Sequence, residues 1–257
     1  LYAFARGLVK KVVIADTFAV AVEAGFADAL TLNTAEAWFV AIGYTLQLYF
    51  DFSGYCDMAK GIGLVFGVEL PDNFHYPYQA TSVNDFFARF NITVNRYIRR
   101  YVYINLGGAQ GSVISGVFNI LLVTILMGLW FGISLNLLLW GVYFAAFVIF
   151  ERYFLSRYMD GIPTLFRWLY TTLVVLVSFA FFSGGTPGQS LGFLKMMFGV
   201  GGFATLESSK SVLYLLASHY LVLILAAVSS TGLVGWFAGL WKKHLPRTYG
   251  VASAVFT

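Results

Sequence analysis

Charge is scarce in this 257-residue chain: 11% of its residues are Asp, Glu, Lys or Arg and 59% are hydrophobic. Soluble domains carry roughly a quarter charged residues, so this composition excludes an ordinary water-soluble globule and places the chain in lipid. Cysteine is nearly absent. The single Cys56 excludes an intrachain disulfide and, with only 3 histidines, argues against a Cys/His metal site. No phosphate loop of the P-loop kind occurs either; "LGGAQGS" at 106–112 reads as a turn before a hydrophobic run.

Apolar runs near the ~20 residues that cross a hydrocarbon core are present at 35–50, 112–130, 135–150, 165–182 and 211–229. A sixth stretch, 12–30, contains Asp16, Glu23 and Asp28, and is either a helix lying at the interface or, as the basic residues favour, a polar span packed inside a bundle. Lys and Arg collect on the cytoplasmic side of short loops. Lys10 and Lys11, then Arg89, Arg96, Arg99 and Arg100, then Arg152 and Arg157, then Lys242, Lys243 and Arg247 all fall on one side if every span crosses. Lys195 and Lys210 fall on the other. The net charge of +4 is thus an orientation signal and gives no reason to expect nucleic acid. The first residues already read as the middle of a polytopic protein, so the chain is expected to be part of a longer one.

The inner segment 51–111 mixes aromatic and charged residues. Val83, Phe86, Phe87, Phe90, Val94, Tyr97, Ile98 and Tyr101 follow helical spacing, leaving Asn84, Asp85, Asn91, Asn95, Arg96 and Arg99 largely on other faces. This predicts one amphipathic, basic, interfacial helix, with Ser82 and Asp85 as its start signal. Asp57 is expected to pair with Lys60 along a helix that continues from the preceding span.

Five blocks carry a resemblance: "GLVKKVVIADTFA" (7–19), "LQLYFDFSGYCDMAKGIGLVFGVELPDNFHYPY" (46–78), "TSVNDFFARFNITVNRYIRRYVYINLGG" (81–108), "MGLWFGISLNLLLWG" (127–141) and "FAFFSGGTPGQSLGFLKMMFG" (179–199). In this order they resemble the membrane-bound O-acyltransferase family, in its bacterial alginate O-acetylation branch, with the family's amino-terminal helices absent. The resemblance implies an all-α polytopic membrane protein, a multi-helix bundle with interfacial amphipathic helices, of which 1–257 is part of a single domain. It also implies the bacterial cytoplasmic (inner) membrane. The implied reaction moves an acyl group, typically acetyl, from a donor such as acetyl-CoA or another acyl thioester to a hydroxyl of an exported envelope polysaccharide. No bound cofactor or metal is implied. Partners would be the bilayer and either the polysaccharide or a periplasmic or extracellular acyltransferase.

The family uses a histidine as general base, which suits imidazole because its pKa lies near neutrality. The resemblance puts that histidine between Trp and Gly in "LWFG", where this chain has Phe131, and a second prominent histidine in "RFNITVN", where it has Asn91. Phenylalanine neither accepts nor donates a proton, and asparagine does not titrate usefully. Ala88, Arg100 and Asn105 also depart from the family pattern. The tunnel and pocket positions implied are Asp51, Ser53, Tyr55, Asp57, Trp130, Phe131 and Asn136. Arg89, Arg96, Arg99 and Arg100 are the implied donor-binding set, suited to phosphates through charge-assisted hydrogen bonds.

His219, within the last span, is the one substitute base the pattern offers; a packed neutral histidine is the plainer reading. His75 and His244 read as solvated loop and tail residues. Ser53 and Cys56 have no histidine at a helical offset to activate them. Two function classes follow: an O-acyltransferase, or a catalytically inactive relative serving as membrane scaffold, partner subunit or substrate conduit. A secondary transporter is the weaker third, because no interrupted helices recur in two halves.

Overall fold

The computed structural model describes residues 1–27, 29–108, 110–159, 161–182, 185–200 and 206–231; for 206–213, 215 and 216 it describes the backbone alone. Asp28, Lys242, Lys243, His244 and Arg247, and the side chain of Lys210, lie outside the described residues.

Helix α1 (Tyr2–Val9), a π-helical turn (Lys10–Ala15) and α2 (Asp16–Ala27) run on without a break, so the polar stretch expected at 12–30 is the second part of a longer helical rod. It packs along α3 (Thr34–Val65), burying Ile14, Phe18 and Val22, while the charge of Asp16 is met by Lys11 at 3.2 Å. α3 starts on a capping box in which the Asn33 side chain accepts from the Ala35 and Glu36 amides and Glu36 accepts from the Asn33 amide. With 32 residues, α3 is about 48 Å long at ~1.5 Å per residue, well beyond the span expected at 35–50. No proline interrupts 51–65, and the carboxylates there are paired with basic residues of the first rod, so nothing ends the helix.

The single helix expected through 83–101 is instead broken. α4 (Val83–Arg89) stops at Phe90, whose backbone is extended, and Asn91 turns left-handed at φ 50° before α5 (Ile92–Ile98) and a π-helical turn (Arg99–Tyr103). The cause lies in a distant strip of chain. Residues 73–75 pair with the break: His75 N–H donates to Arg89 O at 3.0 Å, Ile92 N–H to Asn73 O at 2.9 Å, and Phe74 bridges Phe90. Asparagine tolerates the left-handed region better than most residues. The spacing still predicts the inside correctly for Val83, Phe86, Phe87, Phe90, Val94 and Ile98, whereas Tyr97 and Tyr101 are exposed and pack on each other.

α6 (Val113–Trp130) and α7 (Leu135–Phe150) form an antiparallel hairpin, and α7 continues through a π-helical turn (Glu151–Leu155) into α8 (Ser156–Met159). Val113–Trp130 and Leu135–Met159 are long and apolar enough to cross a membrane. α9 (Thr164–Ser178) ends before the expected 182, and 179–182 form turns. α10 (Pro187–Met197), which the spacing did not reveal, begins on a Thr186–Gln189 capping box with Pro187 in its first turn. α11 (Leu206–Ser229) holds the span expected at 211–229. No strand occurs among the described residues. The main core is aromatic, centred on Phe86, Phe90, Trp140, Phe144 and Phe179 from α4, α7 and the end of α9.

Candidate functional site

The α6–α7 turn is built by glycines. A Cβ on Gly128 would strike the Leu137 carbonyl, and one on Gly141 would sit 2.7 Å from the Ile125 Cα, so these two positions set how closely the hairpin closes. Gly132 takes φ +151°, and Ser134 then caps α7 by accepting from the Leu137 amide at 3.2 Å. Asn136, buried in the first turn of α7, donates to Gly185 O at 3.1 Å and ties the turn to the segment before α10. The small and polar residues of "MGLWFGISLN" thus shape a tight, capped turn.

Phe131 ends α6 inside this frame. Its ring meets Phe182 at 5.0 Å, Phe52 at 6.0 Å and Trp140 at 6.2 Å between centroids, which leaves an aromatic, unionisable environment. Trp130 beside it faces outward, 61% exposed. Asn91 is 2% exposed, and neither its amide nitrogen nor its oxygen has a partner. An unbroken run of ring contacts joins Phe131 to Phe90, the residue before Asn91: Phe90 to Phe74 and Phe74 to Phe52 at 5.1 Å each, then Phe52 to Phe131. Ser53 Oγ and Trp140 Nε1 are also buried without a partner. A buried, unpaired polar atom costs about 1–3 kcal/mol, so this region holds hydrogen-bonding capacity that the described residues do not use.

Asp57 and Ser53 line a cavity of about 620 Å³ between α1, α3 and the 71–76 loop. Asp57 does not pair with Lys60, as the sequence suggested. Arg6 donates to it from two nitrogens at 2.6 and 3.0 Å, and Lys10 approaches at 2.8 Å, because the α1 rod lies against that face of α3. Lys60 reaches Asp72 at 2.6 Å instead. Asp51 pairs with Lys11 at 2.6 Å, and Tyr55 is 65% exposed; neither lines this cavity. Cys56 and His75 do line it. Helical offsets along one segment could not reveal His75 there, since its place depends on the pairing of 73–75 with the α4–α5 break.

The four arginines are not brought together. Arg89 is held by Asp85 at 2.7 Å, Arg96 is exposed, and Arg100 lies over the Tyr101 ring at 5.8 Å. Arg99 alone enters a second cavity, of about 520 Å³, which it shares with Arg152, a residue the sequence reading used only for orientation. His219 lies on α11, with Nδ1 2.9 Å from Ser218 Oγ and its ring 6.3 Å from Phe39; it lines neither cavity.

The sequence profile of the membrane-bound O-acyltransferase family matches residues 1–186. A peptidoglycan O-acetyltransferase of Helicobacter pylori is 37% identical over 213 residues, covering 82% of this chain and 40% of that protein. A probable alginate O-acetylase of Pseudomonas aeruginosa is 34% identical over 244 residues, covering 95% of this chain and 47% of that protein. A teichoic acid D-alanyltransferase of Bacillus subtilis is 26% identical over 150 residues, covering 54% of this chain and 37% of that protein. The chain thus spans less than half the length of these curated relatives. A helical bundle with two hairpin helices long and apolar enough to cross a membrane, the five sequence blocks in order and a profile match over most of its length place the chain in the membrane-bound O-acyltransferase family.

Proposed function

We propose that the protein containing this chain transfers an acyl group, acetyl in the first instance, from an activated donor to hydroxyls of an exported cell-envelope polysaccharide, from a multi-pass position in a bacterial inner membrane. The observation that carries the reading is the family match over 1–186, joined to relatives whose names describe O-acetylation of peptidoglycan and alginate and D-alanylation of teichoic acid. All three acceptors are envelope polymers. In this reading acetyl-CoA or another acyl thioester approaches from the inner face. There Arg96, Arg99 and Arg100 have no carboxylate within 4.0 Å among the described residues, whereas Arg89 is taken by Asp85.

The mechanism has one missing part. Attack of a hydroxyl on the acyl carbon expels the donor thiolate, and the hydroxyl proton must pass to a base before reaching that thiolate. Where the family resemblance puts histidines, Phe131 and Asn91 supply none. A positioned base contributes about 10²–10⁴ in rate, so the chain is read as a positioning frame of low intrinsic turnover. The packing of Phe131 against three rings supports the second reading, a non-catalytic relative acting as scaffold, partner subunit or conduit.

The deciding experiment incubates the purified full-length protein with acetyl-CoA and envelope polysaccharide and counts ester formed. Slow transfer supports the first reading. No transfer by wild type or by a Phe131→His, Asn91→His variant supports the second. If wild type is active, loss of activity in His219→Ala would show that the base has moved, and unchanged activity would remove His219 from consideration.

A further inference from the structure

The second cavity lies between the α4–α5 segment, α6 and the inner end of α7, and its lining divides into two parts. Arg99 and Arg152 line it together with polar Asn84, Asn95, Thr124 and Ser156; Ile120, Val123 and Met127 of α6, with Phe87 and Val148, supply its apolar part. Neither arginine has a carboxylate within 4.0 Å among the described residues. Arg152 is fixed by donating to Tyr103 Oη at 2.7 Å and lies 5.4 Å from the Tyr153 ring centroid, so its guanidinium is held in place without being neutralised. The one carboxylate in the lining, Glu151, is 4% exposed and committed elsewhere. It accepts from the Val83 amide at 2.7 Å and from the amide and side chain of Asn84 at 3.4 and 3.3 Å.

We propose that this cavity binds one anionic phospholipid of the inner leaflet, with its phosphate on Arg99 and Arg152 and an alkyl chain along α6 towards Met127. Guanidinium groups match phosphate oxygens in a bidentate fork, which explains the head position. A soluble phosphate would leave the apolar depth unused, and that depth selects a ligand with a chain. The stretch Ile120 to Met127 covers about 10 Å at ~1.5 Å per residue, and a volume of about 520 Å³ falls inside the roughly 300–1,000 Å³ usual for ligand sites. The position also fits: the basic residues put this end of α7 on the cytoplasmic side, where anionic lipids concentrate. Lipid binding here needs neither Phe131 nor Asn91, and it takes Arg99 from the donor-facing arginines of the proposed function, leaving Arg96 and Arg100.

The test is native mass spectrometry of the purified full-length protein released from nanodiscs of equal phosphatidylglycerol and phosphatidylcholine. Wild type is expected to retain phosphatidylglycerol about tenfold over phosphatidylcholine, and Arg99→Gln with Arg152→Gln to lose that preference. Arg152→Lys, which keeps the charge and loses the fork, should keep part of it, and complete loss in both Arg152→Lys and Arg152→Gln would assign Arg152 a structural role and overturn the proposal. Val123→Trp, which fills the chain path and leaves both charges, should lower retention with the melting temperature in detergent unchanged. Equal retention of the two lipids overturns the proposal. Displacement by inorganic phosphate alone would make the cavity a free-anion site, and displacement by coenzyme A at equal concentration would assign it to the donor; either result overturns the lipid assignment.

Discussion

Two regions of this molecule satisfy their polar groups in opposite ways. Around Asp57 every strong charge has a partner: Arg6 and Lys10 on Asp57, Lys11 on Asp51, Lys60 on Asp72. Around Phe131 and Asn91 the contacts are aromatic, yet Asn91 and Trp140 keep buried polar atoms without partners among the described residues. The paired region is one that holds α1 against α3. The unpaired region holds the two positions where the family resemblance implies histidines, and it keeps buried hydrogen-bonding capacity.

The comparison predicts different responses to truncation. Phe144→Ala, at a fully buried ring in the aromatic region, should cost about 3–5 kcal/mol in detergent unfolding, independent of salt. Phe131→Leu, at a half-buried ring of similar bulk, should cost under about 1.5 kcal/mol. Asp57→Ala should cost about 1–3 kcal/mol, because it leaves Arg6 and Lys10 facing each other beside a low-dielectric wall; Arg6 is partly exposed, which limits the loss. An Asp57→Ala cost that vanished while Phe131→Leu proved severe would reverse the assignment of structural and functional regions.

The smallest effect concerns Lys11, where the hydrogen bond it donates to Asp51 is the leading cause raising its pKa above the ordinary 10.5. A raised folded-state pKa means the pair's contribution is fully present below that ordinary value and is lost as pH rises through the higher folded one. Lys11→Met should therefore cost no more than about 1 kcal/mol at neutral pH, and the difference from wild type should disappear in strong alkali. Unfolding measured across that range checks the sign.

Much of the fold was legible in composition and spacing, since long apolar runs force helices in lipid and the basic residues order them. The inward positions Phe86, Phe87, Phe90 and Val94 were readable for the same reason. The break at Asn91 was not, because a seven-residue helix on each side of it continues the same period, and the strip that pairs with it, 73–75, lies outside that segment. Asp57 was paired with the wrong lysine because a helical offset sees only its own helix, and its true partners stand on α1. Arg152 escaped notice as a cavity residue because its neighbours Arg99 and Tyr103 arrive from another segment.

The central claim is that this chain keeps the family's frame while Phe131 and Asn91 deprive it of a proton acceptor. It is tested most directly by the acyl-transfer rate of the purified full-length protein beside its Phe131→His, Asn91→His variant at neutral pH. The account predicts slow wild-type transfer and a gain of about 10²–10⁴ in the variant, with a pH dependence set by an imidazole. Wild-type transfer as fast as the variant's would contradict it.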